Sequence, residues 1–157
     1  ADRSGDVRIV SARDGSETAR IAHVGNPIED LALDRDATKL LIRTSAADGE
    51  DRRVSTLLWD VATDKRVLSY GDTVAPVPPW AGTLPNAQRI AVSADGKYVA
   101  TTDGGTEVRL WERSTGKLVR TISGHAESVA FLAFSPDSRL LATMAVDGIG
   151  LVWRIDR

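Results

Sequence analysis

Few side chains in this 157-residue chain have the types and spacing that catalysis requires. The chain has only two histidines, His23 and His125, and Ser128 closely follows the second of them. A serine hydrolase needs a base held against its nucleophile and a third group that orients the base. One serine near one histidine is background for that chemistry, so we predict that the chain is not an enzyme.

The acidic and glycine-rich segments do not have the spacing of ligand sites either. Residues 48–51 read Asp-Gly-Glu-Asp, but a calcium loop needs more oxygen ligands at set spacing. Asp103 precedes two glycines in a turn that no helix follows, whereas a phosphate cradle uses a helix N-terminus. Cysteine is absent, which excludes thiolate metal sites and disulfides. We predict that the chain binds no metal and no cofactor. We also predict a cytoplasmic location, with which the lack of cysteine is compatible.

The overall composition narrows the classes of partner. The chain is 42% hydrophobic and 27% charged, which is ordinary for a soluble globular domain. Its net charge of −2, with lysines and arginines spread along the chain, gives no broad basic surface for nucleic acid. No apolar run approaches the length of a membrane span. We therefore expect neither nucleic acid nor membrane as a partner.

Four polar and aromatic residues stand at fixed offsets among the turn signals and apolar runs of residues 124–154: His125, Thr143, Asp147 and Trp153. This segment resembles a WD repeat, the sequence unit of a β-propeller blade. The resemblance implies that the four residues form a hydrogen-bonded structural tetrad across the inner three strands. It predicts a buried Asp147 paired with His125, whose other nitrogen contacts Thr143, and Thr143 accepting a hydrogen bond from Trp153.

The rest of the chain repeats the same unit in weaker form. Trp59-Asp60, Trp111-Glu112 and Trp153-Arg154 mark three unit ends, and Val10-Ser11 aligns with them as a fourth. Repeats of roughly 40 to 50 residues with such an end indicate blades of four strands. His23 lies near the His position of the second unit, with Thr44 and Trp59 downstream.

The predicted fold is all-β, a propeller segment of four-stranded antiparallel blades in an incomplete ring. Strands are expected at about 6–11, 17–22, 28–33, 39–45, 54–60, 65–70, 87–93, 97–102, 107–112, 117–122, 128–134, 139–144 and 149–155. They divide into a partial blade (1–25), two full blades (26–72 and 73–124) and a three-stranded last blade (125–157). Propellers close with four to eight blades, and this chain supplies about three and a quarter.

The missing blades raise the question of what completes the ring. We expect the chain to be the C-terminal part of a larger propeller, with the N-terminal blades on another fragment. The alternative is self-assembly of identical chains. In either case two apolar blade faces need to be covered.

Two insertions depart from the repeat. One enlarges a hairpin at 46–53, and the other lengthens the connection 71–87, which carries Pro76, Pro78, Pro79, Pro85 and Trp80. In a propeller both connections lie on the same face, and loops on a rigid scaffold commonly bind partners. Surface loops also tolerate insertions without purpose, and Trp80 fits an internal cap slightly better than an exposed anchor. Our candidate partner-binding residues are Trp80, Arg52, Arg53, Pro78, Pro79 and Asp103.

The sequence thus favours a non-catalytic scaffold that binds a protein or peptide. The resemblance further suggests the sensor portion of a larger, bacterial, multidomain protein. One alternative is a propeller that binds a small ligand, or performs catalysis, in its central channel. The other is an assembly module that only completes a ring with another fragment or chain.

Overall fold

The computed structural model describes residues 6–22, 24–48, 51–76 and 89–155, which form antiparallel strands joined by turns. Short apolar runs separated by Gly, Pro, Asp and Ser turns favour this architecture, because such turns reverse the chain every few residues. Thirteen strands lie in the described residues: β1 (Val7–Val10), β2 (Glu17–Ile21), β3 (Ile28–Leu33), β4 (Lys39–Asp48), β5 (Asp51–Asp60), β6 (Lys65–Pro76), β7 (Ile90–Val92), β8 (Tyr98–Thr101), β9 (Glu107–Glu112), β10 (Leu118–Ser123), β11 (Val129–Phe134), β12 (Leu140–Ala145) and β13 (Gly150–Arg154).

The strands form four separate sheets in which sequence neighbours pair. Their orders are β1-β2, β3-β4-β5-β6, β7-β8-β9-β10 and β11-β12-β13. The first strands of the last three sheets contact one another, β3 with β7 and β7 with β11. The sheets therefore stack side by side around these inner strands, and within the described residues they do not close a ring.

The turn before the last strand of each of the first three sheets has a left-handed residue at the same position. Gly15 has a φ of 72° and Gly116 a φ of 70°, and Asp64 occupies the equivalent position with a φ of 52°. Aspartate tolerates this conformation better than most residues because its short side chain bonds locally. Here Asp64 Oδ1 accepts a hydrogen bond from Trp59 Nε1 at 3.0 Å.

The core consists of three apolar clusters, one at each junction between neighbouring sheets. Both faces of an inner sheet are buried, which explains why the strands carry apolar residues on both sides. The cluster residues are Val7, Ile21, Leu40 and Ile42 at the first junction, Leu41, Leu58, Tyr70, Ile90 and Val99 at the second, and Ala91, Ala100, Val108, Leu110, Ile122, Val129, Leu132, Leu141 and Ile155 at the third.

The last sheet presents an uncovered apolar face. Leu58, Leu110 and Val152 hold the same register position in β5, β9 and β13, opposite Leu41, Ala100 and Ala142 respectively. Leu58 and Leu110 are buried against the next sheet, at 4% and 2% exposure, whereas Val152 is 67% exposed. The face of β11–β13 that carries Val152 therefore has the composition of a blade-to-blade contact.

The two predicted insertions are not loops where the structure describes them. β4 continues to Asp48, β5 begins at Asp51, and β6 continues through Gly71 to Pro76. The predicted enlargement of the hairpin at 46–53 is present. The strands were expected to end at 45 and begin at 54, and 71–76 was expected in a connection. These limits were wrong, because the segments satisfy their backbone groups by pairing with one another. Residues 77–88, with Pro78, Pro79, Trp80 and Pro85, lie outside the described residues.

Candidate interaction surface

A three-stranded ribbon extends the second sheet beyond the length of the other sheets. Ala46 to Asp48 of β4 pair with Asp51 to Arg53 of β5. Asp51 to Ser55 of β5 in turn pair with Asp72 to Pro76 of β6, without a break in register. The two insertions thus lie side by side in one sheet, which gives this end of the molecule an ordered backbone surface. We call residues 46–48, 51–55 and 72–76 the ribbon.

A glycine bulge marks the point where the ribbon leaves the blade. The register of β5 and β6 shifts between Ser55 and Leu57, and Gly71 lies in the shifted segment with a φ of 57°. A Cβ atom on Gly71 would lie 2.9 Å from Cη2 of Trp111 in the neighbouring sheet. Gly71 is therefore required both for its left-handed backbone and for the close approach of Trp111.

A buried group of charged side chains lies at the base of the ribbon. Arg43 of β4 is 1% exposed; its Nε donates to Glu29 Oε2 at 3.3 Å, and its Nη1 donates to the Thr102 carbonyl of the next sheet. Arg89 Nη1 lies 3.6 Å from the same Glu29 oxygen. Buried charges persist only when they are paired, so these contacts hold the second and third sheets together. We call Glu29, Arg43 and Arg89 the base cluster.

Asp30 connects the same two sheets through backbone groups. Its Oδ2 accepts hydrogen bonds from the amides of Arg89 at 2.6 Å and Ile90 at 3.1 Å. Burial raises the pKa of the Asp30 carboxyl, and the backbone donors oppose that shift. The carboxylate thereby holds Ile90, the first residue of β7, and Arg89, the residue before it.

Sequence reasoning missed Arg43, Glu29, Asp30 and Arg89 as a group. One signal was present, since Arg43 follows the apolar run Leu40 to Ile42 inside a predicted strand. A charged residue at such a position is rarely buried unless it is paired. Its partners come from another strand and from another sheet, which the chain order does not show.

Two candidate partner-binding residues, Asp103 and Arg53, lie with their side chains in the described part of the chain. Asp103 Oδ2 lies 3.1 Å from Arg109 Nη1, and Asp103 Oδ1 accepts from the Gly105 amide, so its carboxylate is engaged by its own turn and by β9. Arg53 is exposed on the ribbon. The side chain of Arg52, and all of Trp80, Pro78 and Pro79, fall outside what the structure describes.

Three of the four predicted tetrad residues meet in the last sheet. His125 Nε2 lies 2.6 Å from Thr143 Oγ1, and Trp153 Nε1 donates to the same oxygen at 2.9 Å. His125 and Thr143 are buried, and the Trp153 ring closes against Gly124, where a Cβ would come within 2.7 Å. These contacts tie the segment before β11 to β12 and β13.

The prediction for the fourth tetrad residue was wrong. Asp147 is exposed, and its Oδ1 accepts a hydrogen bond from the Ile149 amide at 2.9 Å. His125 Nδ1 is buried without a hydrogen-bond partner. A short aspartate in a tight turn readily bonds the amide two residues further on, and this local contact replaces the expected bond to His125.

The positions equivalent to Thr143 and Trp153 form different hydrogen bonds in the second and third sheets. In the third sheet Trp111 Nε1 donates to Thr101 Oγ1 at 2.9 Å, as Trp153 does to Thr143. In the second sheet the register places Ile42, rather than Thr44, at this position. Trp59 therefore has no hydroxyl there and donates to Asp64 instead.

Asp60 and His23 are the two other residues that the sequence places at repeat positions. Asp60 forms an ion pair with Lys39 at 2.7 Å, which lowers the pKa of its carboxyl. His23 lies outside the described residues, so its expected position in the second unit stays a prediction.

We predict that Thr143→Val lowers the free energy of unfolding by about 1–3 kcal/mol, because it leaves both His125 and Trp153 without their shared oxygen. Thr101→Val is the matched control and should cost less, since only Trp111 loses a described partner there. Asp147→Ala should cost about 0.5 kcal/mol, as surface substitutions do. Denaturant titration of the three variants measures this order. A loss at Asp147 equal to that at Thr143 would mean that Asp147 bonds His125 in solution.

The described residues hold no group of three or more His, Cys, Asp or Glu that could bind a metal ion. No helix in the described part of the chain is long and apolar enough to cross a membrane.

Comparison with known proteins agrees with this architecture. A family model for the WD domain, G-beta repeat, matches residues 116–154. A protein LST8 homolog of Drosophila melanogaster is 29% identical over 109 residues, which cover 65% of this chain and 32% of that protein. The Arabidopsis thaliana protein ROOT INITIATION DEFECTIVE 3 is 32% identical over 100 residues, which cover 57% of this chain and 23% of that protein. The chain thus spans a third or less of the length of these relatives.

The fold is also similar to that of a solved structure. The crystal structure of RRP9 WD40 repeats superposes with a TM-score of 0.65 at 22% identity, and the match covers 86% of this chain and 37% of that chain. At this identity the likeness shows the fold alone. The predicted fold, an all-β propeller segment with an incomplete ring, is confirmed.

Proposed function

Because the chain belongs to the WD-repeat family, we propose that it is a non-catalytic scaffold that binds a protein or peptide through the ribbon. The observation that carries this proposal is the extension of three strands beyond the blade. An ordered backbone surface of this kind loses little conformational entropy when a partner docks, and this favours binding.

The base of the ribbon supports this proposal. Arg43 bonds Glu29 in its own sheet and the Thr102 carbonyl in the next, and Asp30 bonds the amides of Arg89 and Ile90. A binding surface is more effective when the elements that carry it are held by packing and by hydrogen bonds behind it. The base cluster supplies that support, since it joins the ribbon-bearing sheet to its neighbour.

Charge on the ribbon gives a second reason to expect a polypeptide partner. Arg53 is exposed there, and a guanidinium presents forked donors that match a carboxylate. We propose that partners with acidic side chains are favoured. A finer role, as the sensor portion of a larger bacterial multidomain protein in the cytoplasm, stays a prediction from the sequence.

The second candidate function is a ring-completing module. It is favoured by the uncovered apolar face that carries Val152, Met144 and Ala142. The two functions are compatible, because this face and the ribbon lie on different sheets. A channel-based catalytic function has less support, since three charged residues near the inner strands, Glu29, Arg43 and Arg89, pair with one another in the base cluster.

We expect that replacing residues 47–52 by Asn-Gly abolishes partner binding while the melting temperature changes little. An Asn-Gly turn closes a two-residue hairpin between Ala46 and Arg53, which pair in the native sheet. Affinity purification with mass spectrometry, comparing the protein with this variant, measures the partners retained. Asp147→Asn, in a hairpin of the last sheet, is the matched control and should retain all partners. Recovery of the same partners by the shortened variant would refute the proposal.

A further inference from the structure

The outer edge of the ribbon offers a defined mode of recognition. We propose that Asp72–Pro76 of β6 bind an extended peptide segment of a partner protein, which adds to the sheet as a further strand. This inference rests on the proposed function, because it states how the ribbon takes its partner. The recognition chemistry is that of backbone amides and carbonyls, with a carboxylate of the peptide placed toward Arg53.

The length and position of β6 make this edge available. β6 has 12 residues, whereas the outer strands β2 and β10 have 5 and 6. In the order β3-β4-β5-β6 it is an edge strand, and no other described strand pairs with its outer side. An edge strand presents a row of backbone donors and acceptors that a further strand can pair with.

The position of Pro76 identifies which backbone groups face outward. Asp72 to Pro76 pair with β5 in continuous register, with Pro76 opposite Asp51 and Val74 opposite Arg53. Proline has no N–H and so cannot donate to β5, which makes its pair with Asp51 a non-hydrogen-bonded one. Pairs alternate along an antiparallel ladder, so the amides of Thr73 and Ala75 point to β5. Those of Asp72 and Val74 point to the open edge.

Before Pro76, which has no amide to offer, this stretch lacks two features that commonly block an edge, a bulge and a lysine. In β10 the register shifts between Leu118 and Arg120, so that Val119 is a bulge, and β6 has the same irregularity at Val67. Bulges and lysines on edge strands discourage pairing with other strands. Between Asp72 and Pro76 there is neither a register shift nor a basic residue, and Thr73 and Val74 have high strand propensity.

The dimensions favour a peptide over a second copy of this chain. Five residues span about 17 Å. Two copies paired along so short an edge bury far less than the roughly 1,600 Å² of a standard stable interface. A peptide needs no such area, because its affinity comes from main-chain hydrogen bonds and a few side-chain contacts. Arg53 lies directly opposite Val74 in the ladder and is exposed, and it already interacts within the chain. A guanidinium has five donors, so Arg53 can also favour a carboxylate in that peptide.

The decisive variant is Val74→Pro. It removes an outward amide but no bond to β5, and proline is tolerated in edge strands where its nitrogen faces outward. Val74→Ala is the matched control, because it changes the side chain and keeps the amide. The probe is a set of linear dodecapeptides selected on the full chain from a phage-displayed library, with affinities measured by fluorescence anisotropy. We expect Val74→Pro to weaken binding about tenfold or more and Val74→Ala to weaken it little.

Two measurements on the unaltered protein keep the test valid if Val74→Pro fails to fold. In a strand added to the edge, alternate amides of the peptide point toward β6 and away from it. Methylating the nitrogens of one alternate set in a selected peptide should therefore abolish binding, and methylating the other set should not. Hydrogen exchange of the Asp72 and Val74 amides should slow when the peptide binds. If the peptide binds equally well with either set of nitrogens methylated, or if the exchange of the Asp72 and Val74 amides does not change, strand addition is wrong.

The remaining outcomes separate this inference from the proposed function. If Val74→Pro binds the peptides like the unaltered protein, but the variant with 47–52 replaced does not, strand addition is wrong and the ribbon remains the binding surface. If both variants bind normally, or the library yields no binder, both proposals fail. Sedimentation that shows a dimer abolished by Val74→Pro would assign the edge to a second copy and also overturn the inference.

Discussion

Arg43→Ala is expected to lower the free energy of unfolding by about 3–5 kcal/mol, the cost of breaking a buried ion pair from one side. Arg43 is 1% exposed, and its removal leaves the Thr102 carbonyl without its described donor and the Glu29 carboxylate without one of its two described cations. A cavity remains in place of a long side chain, which adds to the loss. Denaturant unfolding of the full protein measures the change.

Arg109→Ala is the matched control. Arg109 also pairs with an acidic side chain, Asp103, but both partners are about a quarter exposed. Such pairs contribute only about 0–1 kcal/mol, so the control should barely shift the unfolding midpoint. A double-mutant cycle of Arg43→Ala with Glu29→Ala then isolates the coupling between these two side chains. Similar losses at Arg43 and Arg109 would show that Arg43 is solvated and does not hold the sheets together.

The positions of the strands could be predicted from the sequence because their determinants are local. Turn residues recur at constant distances from the repeat-end residues, and the structure has a left-handed residue at Gly15, Asp64 and Gly116 in succession. Apolar residues lie on both faces of β11, which is typical of an inner strand, and both Val129 and Ala130 are buried. Short-range signals of this kind depend on steric limits within a few residues.

The ribbon could not be predicted in the same way. Residues 46–53 and 71–76 have acidic, glycine and proline residues that favour a loop, and the sequence gives no partner for them. Each strand of the ribbon is stabilised by pairing with another, and the register of β6 depends on a bulge at Gly71. Pairing between segments distant in sequence overrides local propensity. The sequence could only place the two insertions on the same face.

The side-chain contacts likewise divide into those that the repeat pattern predicts and those that it does not. The contacts of Thr143 follow from the repeat pattern, whereas Asp147 depends on a choice between His125 and the local Ile149 amide. In the second unit, Thr44 has the correct residue type but lies two positions from the required register. A pattern of residue types does not fix register where an insertion has changed the spacing.

The 157-residue chain, studied by itself, is expected not to persist as a folded monomer but to associate through the uncovered face of β11–β13. Val152, Met144 and Ala142 lie exposed on this face, at positions where the preceding sheets are buried. Burial of apolar surface contributes about 25 cal/mol per Å², and full burial of one valine about 1.5–3 kcal/mol. Val152→Asp should therefore weaken association about tenfold or more, because it removes this gain and places a charge in the contact. Sedimentation velocity over a range of concentrations measures both effects.

Val119→Asp is the control for the added charge alone. Val119 is 52% exposed, close to the exposure of Val152, but it lies on the outer edge strand β10 rather than on a face between sheets. Its replacement should leave the association unchanged, since Val119 belongs to none of the apolar clusters between neighbouring sheets. If the chain sediments as a stable monomer that unfolds cooperatively at low concentration, the uncovered face needs no partner. The ring-completing function would then lose its main support, while the ribbon would be unaffected.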